Sequence, residues 1–155
     1  MLTTFLSKIA SSALASGHFA SVTTVGNNVV CNANASAAPS TYRVQVVGEE
    51  IIVGVYMADR WLSHSIEADL LNTGDKLEDL ISEELAELGY KEQHAGESVR
   101  PCEHFRNDDR LFTFQTKIPV KLSAPDAAER ATLWLLAYED AFARLGDMSA
   151  AGEAE

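Results

Sequence analysis

The chain has 155 residues and a formal net charge of −11, with 46% hydrophobic and 23% charged residues. This is the composition of one ordinary globular domain, large enough to bury a core without staples. The negative charge argues against gripping nucleic acid or an anionic membrane, because those tasks draw their affinity from Lys and Arg. The charge is also uneven. Residues 1–48 contain no Asp or Glu, only Lys8 and Arg43, whereas 49–155 hold all 23 acids and the other 10 bases, net −13.

Leu2, Phe5, Leu6, Ile9, Ala13 and Leu14 recur mostly at spacings of three and four, the stripe of an amphipathic helix. Ser16-Gly17 ends it, with Gly17 placed for a left-handed cap. Its polar side holds Thr3, Thr4, Ser7, Ser11 and Ser12, not the bases that anionic lipid attracts. Nor does this stretch read as a targeting segment, since Lys8 interrupts the apolar run and the first arginine is Arg43. From Phe19 the pattern becomes β. Phe19–Val25 and Val29–Ala35 flank a turn at Gly26-Asn27-Asn28, and 36–40 is a loop. Tyr42–Val47 alternates apolar and polar, as a half-buried strand does. Gly48-Glu49-Glu50 turns the chain into Ile51–Met57, whose nearly continuous apolar run predicts a central strand covered on both faces. A four-strand meander is expected.

Residues 59–65 leave the sheet, and Ser65 predicts the N-cap of a helix whose first turn carries Glu67 and Asp69. Gly74 interrupts the pattern, so 66–88 is one helix or two. Leu77, Leu80, Ile81, Leu85 and Leu88 form one face, with Glu78, Asp79, Glu83 and Glu87 opposite and Gly89 at the end. Ten acids fall between Glu67 and Glu97 against Lys76 and Lys91, net −8, and this spacing predicts a solvated face. After a polar stretch at 91–101, Cys102–Arg106 and Arg110–Ile118 bracket Asn107-Asp108-Asp109 as a hairpin. Pro119 is expected to stop that ladder. A last helix over 126–145, capped by Ser123, has a core stripe of Ala131, Trp134, Leu135, Tyr138, Phe142 and Leu145. Leu133 and Leu136 lie off the stripe, so the helix is apolar around more of its circumference than one core face needs.

The order is α-ββββ-α-ββ-α, an α+β fold: an antiparallel sheet with helices at both ends and in the middle. A single domain over 1–148 and a disordered acidic tail over 149–155 are expected.

Reaction chemistry finds little purchase. Of the four histidines, His18, His64, His94 and His104, only His104 approaches a ligand pair, as Cys102-x-His104 on one strand face; the remaining ligands would have to come from elsewhere. Asn107-Asp108-Asp109 lacks the alternating oxygens of a calcium loop and reads as a turn. Ser63, His64 and Asp59 have the residue types of a triad without a nucleophile elbow. There is no dinucleotide or Walker loop. The expectation is no enzyme, no cofactor and no metal.

The segments 103–115 (Glu103-His-Phe-Arg-Asn-Asp-Asp-Arg-Leu-Phe-Thr-Phe-Gln115) and 135–146 (Leu135-Leu-Ala-Tyr-Glu-Asp-Ala-Phe-Ala-Arg-Leu-Gly146), with the element order and a pI near 4.7, resemble the type III secretion chaperone-like fold and its YbjN-type relatives. The resemblance covers the layout of residues 1–148. It implies a dimer, with the middle helix often at the contact, and a surface that holds an extended segment of a partner. The chain departs from it in placing four strands before the middle helix where three are usual.

The reading that follows is a non-enzymatic protein-binding module, a small, acidic, cytoplasmic and dimeric chaperone or adaptor. Two cysteines fit free thiols in a reducing compartment. Trp61 and Leu62, in a connection expected at the surface, and Leu133 and Leu136, off the core stripe, are the candidate partner-binding residues. The alternative is a small-ligand or metal-binding protein, or an enzyme, with a pocket between sheet and helices that uses Cys102 and His104.

Overall fold

The computed structural model describes residues 2–34, 36, 38–92 and 96–149. Of the tail expected over 149–155, only the backbone of Ser149 falls among them, and His94 lies outside them. Chain order is α1 (Leu2–Ser16), β1 (Phe19–Val25), β2 (Asn28–Ala33), β3 (Ser40–Val47), β4 (Glu50–Met57), α2 (Arg60–Thr73), α3 (Leu77–Glu87), β5 (Glu103–Arg106), β6 (Phe112–Lys121), α4 (Ala127–Phe142) and a short single-turn helix at Gly146–Ser149. The fold is α+β, with one six-stranded antiparallel sheet ordered β1-β2-β3-β4-β6-β5. Among the described residues, no helix is long and apolar enough to cross a membrane.

The meander follows from local turns. Gly26, at φ 59°, supplies the left-handed backbone that a two-residue hairpin loop demands. The resulting register lines up Val22, Cys31, Tyr42, Val55, Phe114 and His104 as one row across all six strands. Opposed residues in an antiparallel ladder point to the same face, and this face is the one that the helices cover. Phe5, Leu6 and Ile9 of α1 and Trp134, Leu135, Tyr138 and Phe142 of α4 are buried in the same core as Cys31, Tyr42, Val55 and Phe114.

As expected, β4 is a central strand buried on both faces: Val53, Val55 and Met57 on one, Gly54 and Tyr56 on the other. Side chains of neighbouring strands do part of the covering on the second face. The Arg43 guanidinium stacks 4.4 Å from the Tyr56 ring centre. Gln45 donates to the Tyr56 hydroxyl at 2.5 Å, and Tyr56 donates onward to Gln115 at 3.4 Å. Gly54 leaves the room for this.

Other boundaries shift for identifiable reasons. Asp59, not Ser65, caps α2: its Oδ1 accepts the Leu62 N–H at 2.8 Å, so the helix begins at Arg60. Ser65 sits inside the helix and donates back to the Leu62 carbonyl at 2.7 Å. Gly74, at φ 79°, ends α2, so 60–87 is two helices. Pro119 does not end β6. It falls where β4–β6 pairing is irregular, between the Ile52–Lys117 and Glu50–Lys121 partners, and a missing N–H costs least there. Ser123 does not cap α4, whose N-cap is Asp126 with no side-chain bond. Leu14 is 66% exposed, since the buried stripe of α1 stops at Ala13.

Candidate functional site

The four candidate partner-binding residues do not share one surface. Moving the start of α2 to Arg60 puts Trp61 and Leu62 in its first turn, where consecutive side chains diverge. Leu62 is 2% exposed and part of the core, whereas Trp61 is 73% exposed with its ring edge-on to His64. Leu71, further along α2, is also exposed. Leu136 is half-buried against the core. Leu133 faces a groove of about 730 Å³ between α1 and α4, lined by Thr3, Thr4, Ser7, Ser11, Ser12 and Thr132, with Lys8 and Glu129 the charged groups. Thus the polar side of α1, uncharged apart from Lys8, forms one wall of a concave surface.

The sheet has two outer strands of different character. β5 has four residues, all exposed, and carries Glu103 and Arg106. Short length and charge are the devices that keep an edge from pairing with another chain. β1 has seven residues, Phe19-Ala-Ser-Val-Thr-Thr-Val25, with no charge and no proline. One bulge interrupts its register near Phe19, and from Ser21 to Val25 the ladder with β2 is regular. Among the described residues its outer side has no strand neighbour.

The pair Cys102 and His104 does not converge. Cys102 lies just before β5, and its Sγ is 3.4 Å from the Tyr138 hydroxyl of α4, which itself bonds Thr116 at 2.6 Å. Burial pushes the Cys102 thiol up to about 11 and the Cys31 thiol up to about 12. The thiolate is the reactive and ligating form, so neither sulfur is activated. The His104 ring stacks on Phe114 at 3.8 Å, and its Nδ1 meets the Thr113 carbonyl at 3.0 Å. Its Nε2 faces both Glu67, at 2.5 Å, and Ser63, at 3.5 Å. In a hydrolase triad the acid and the nucleophile use different ring nitrogens; here they share one, and Ser63 is 2% exposed. Asp59 is occupied as a helix cap.

Two constellations were not legible in the sequence. Arg130 of α4 is buried with Glu97, to which its Nη2 donates, and donates to the Tyr90 hydroxyl at 2.6 Å. The only sequence hint was a charge on the apolar helix. At the other side of α4, His18 Nδ1 lies 2.9 Å from Glu139 Oε1 and 3.5 Å from Asp140 Oδ1. Burial pushes the Glu139 carboxyl above the usual carboxylate range, with His18 pulling the other way. Two adjacent acids in an otherwise apolar helical stretch were the available signal here.

Comparison with known proteins finds no matching family model, no similar curated protein and no similar solved structure.

Proposed function

We propose that the chain is a non-enzymatic protein-binding module, a small acidic chaperone or adaptor of the cytoplasm, that takes an extended segment of a partner along the outer edge of β1. The carrying observation is the contrast between the two sheet edges: β5 is short and charged, whereas β1 is longer and wholly uncharged. A backbone edge of this kind recognises a strand through main-chain hydrogen bonds, and alternate side chains add selectivity. Five regular residues, Ser21 to Val25, offer a pairing length of about 17 Å. A second copy can use the same edge, since β1 against β1 about a twofold axis extends the sheet in both chains; this is the form of homodimer that the reading favours. The similarity in layout to type III secretion chaperones and YbjN-type domains fits a chaperone role.

The test is hydrogen exchange with peptides selected from a random library of extended segments. Slowed exchange at Ser21–Val25, and binding weakened more than about tenfold by Thr23→Lys, are expected, because a lysine on an edge guards it. Slowing confined to other strands, or binding untouched by Thr23→Lys, would rule the reading out. Sedimentation at tens of micromolar checks the dimer, with Thr23→Lys giving monomer.

A second reading rests on the groove beside Leu133, whose volume suits a small molecule. It differs from the pocket expected between sheet and helices by lying between two helices. A ligand that raises the melting temperature of wild type but not of Leu133→Trp would favour it.

A further inference from the structure

We propose that His18, Glu139 and Asp140 form a binding site for one divalent first-row transition-metal cation, with zinc as the probe, clipping the start of β1 to α4. Gly17, at φ 75°, ends α1 and turns the chain so that His18 directly precedes β1. One donor atom from each of the three residues lies within 4.8 Å of the other two. Around a zinc ion with bonds of about 2.0–2.1 Å, ligand atoms stand about 3.3 Å apart in tetrahedral geometry and about 2.9 Å in octahedral. The histidine-to-carboxylate separations of 2.9 and 3.5 Å match that range.

Charge points the same way. Two neighbouring carboxylates converge on one imidazole, so acids outnumber the base at this point. Arg144, the next base along the chain, is turned to Glu84 of α3. A divalent cation balances the pair. The donor chemistry then selects among cations: carboxylates alone suit Mg²⁺ or Ca²⁺, while an imidazole nitrogen shifts preference toward zinc and its neighbours.

An independent observation lies on β3. Tyr42 is 1% exposed, and its hydroxyl has no hydrogen-bond partner among the described residues. It stands on the helix-covered face of the sheet, where burial first, and then the charges of Glu139 and Asp140, push its hydroxyl well above the usual tyrosine range. A buried hydroxyl without a partner is costly, and a polar centre holding a hydrated ion would supply one.

The experiment titrates Zn²⁺ into EDTA-stripped, dialysed protein by calorimetry near neutral pH, with melting temperature as a second readout. One equivalent per chain is expected, with a rise in melting temperature. Removing outer-shell partners alone weakens metal sites 10–100-fold, so His18→Gln and Asp140→Asn should each weaken binding by more than about tenfold. His64→Ala should leave it unchanged, and Mg²⁺ at the same concentration should give no shift. If His18→Gln fails to fold, Asp140→Asn, nearly isosteric and half-buried, still decides. Absence of saturable zinc binding, or binding unchanged in Asp140→Asn, overturns the proposal and leaves a plain ion pair.

Discussion

Replacing Arg130 with methionine should destabilise the fold by about 3–5 kcal/mol, because it strips the counter-charge from a buried carboxylate. The side chains of Arg130 and Glu97 are only 10% and 6% exposed. Arg130 also donates to the Tyr90 hydroxyl at 2.6 Å and lies 5.1 Å over that ring, so one guanidinium joins α4 to the chain after α3. Glu97→Leu should destabilise comparably by leaving the guanidinium uncompensated. If the two effects simply added, the loss would be about 6–10 kcal/mol, near the whole stability of a typical domain. The double variant Arg130→Met/Glu97→Leu should instead lie within about 2 kcal/mol of wild type, since both charges leave together and apolar volume replaces them. Urea denaturation followed by far-ultraviolet circular dichroism measures all four species. Single variants each within about 1 kcal/mol of wild type would mean that the pair behaves like an exposed one, and the reasoning fails. So would a double variant equal to the sum of the singles.

Gly54→Ala should lower stability by about 1–3 kcal/mol. A Cβ there would stand 2.8 Å from the Phe114 carbonyl oxygen and 2.9 Å from Gln115 Cβ, and the backbone contact yields only if β4 and β6 part; an unchanged melting temperature would contradict this. Asp59→Ala removes the acceptor for the Leu62 N–H and should cost about 0.5–2 kcal/mol, read as faster amide exchange at the start of α2. Stability should fall as pH rises above 9, because both thiols are raised from 9.0, to about 12 for Cys31 and about 11 for Cys102. The native state then holds protons that the unfolded chain releases, so stability present below pH 9 is lost through 11 to 12, at up to about 1.4 kcal/mol per pH unit per thiol. Denaturation near pH 8.5 and 10 should show a shallower decline in Cys31→Ala/Cys102→Ala; equal declines would refute the assignment.

Period and turn chemistry account for what could be read in advance. The spacing of Leu2, Phe5, Leu6 and Ile9, and the left-handed glycines at 17, 26, 48, 74 and 89, mark helix and hairpin limits that need no tertiary information. What escaped depends on neighbours distant in sequence. Asp59 and Ser65 are both good caps, and the choice rests on where Leu62 and Ile66 enter the core. That β4 is covered on both faces was legible, but not that Arg43, Gln45 and Gln115 from neighbouring strands help bury Tyr56. Glu97 in a polar loop and Arg130 in an apolar helix carry no mutual signal. Likewise Leu62 could not be told from Trp61 until the start of α2 was known, because one residue along a helix rotates a side chain by about 100°.

The acids from Glu67 to Glu97 are mostly exposed, as expected of a solvated face, and several also hold structure together. Six of the ten accept hydrogen bonds from other elements or from the following loop: Glu67 from His104, Asp69 from Gly146, Glu78 from Cys102, Glu84 from Arg144, Glu92 from Ser98 and Glu97 from Arg130. Two of these bonds, Glu67 to His104 and Glu78 to Cys102, tie α2 and α3 to the β5 end of the sheet, so part of this acidic stretch lies there. The β1 end takes its strands and helix from residues 1–48, which hold no acid and carry only +2, and the acids of α4 that reach it, Glu139 and Asp140, meet His18 there. Two copies at −11 repel each other, and contact through β1 keeps their acidic ends farthest apart. Across a sheet of six strands about 4.8 Å apart, that separation exceeds the Debye length of about 10 Å at 0.1 M salt. Association through β1 should therefore change less than about threefold between roughly 50 and 500 mM NaCl, because residues 1–48 bring no acid to the contact and Glu139 and Asp140 are paired with His18. Contact through β5 or α3 would bring the acids within screening distance and tighten strongly with added salt. Sedimentation equilibrium at the two salt concentrations separates the cases, and tightening beyond about tenfold would move the interface away from β1.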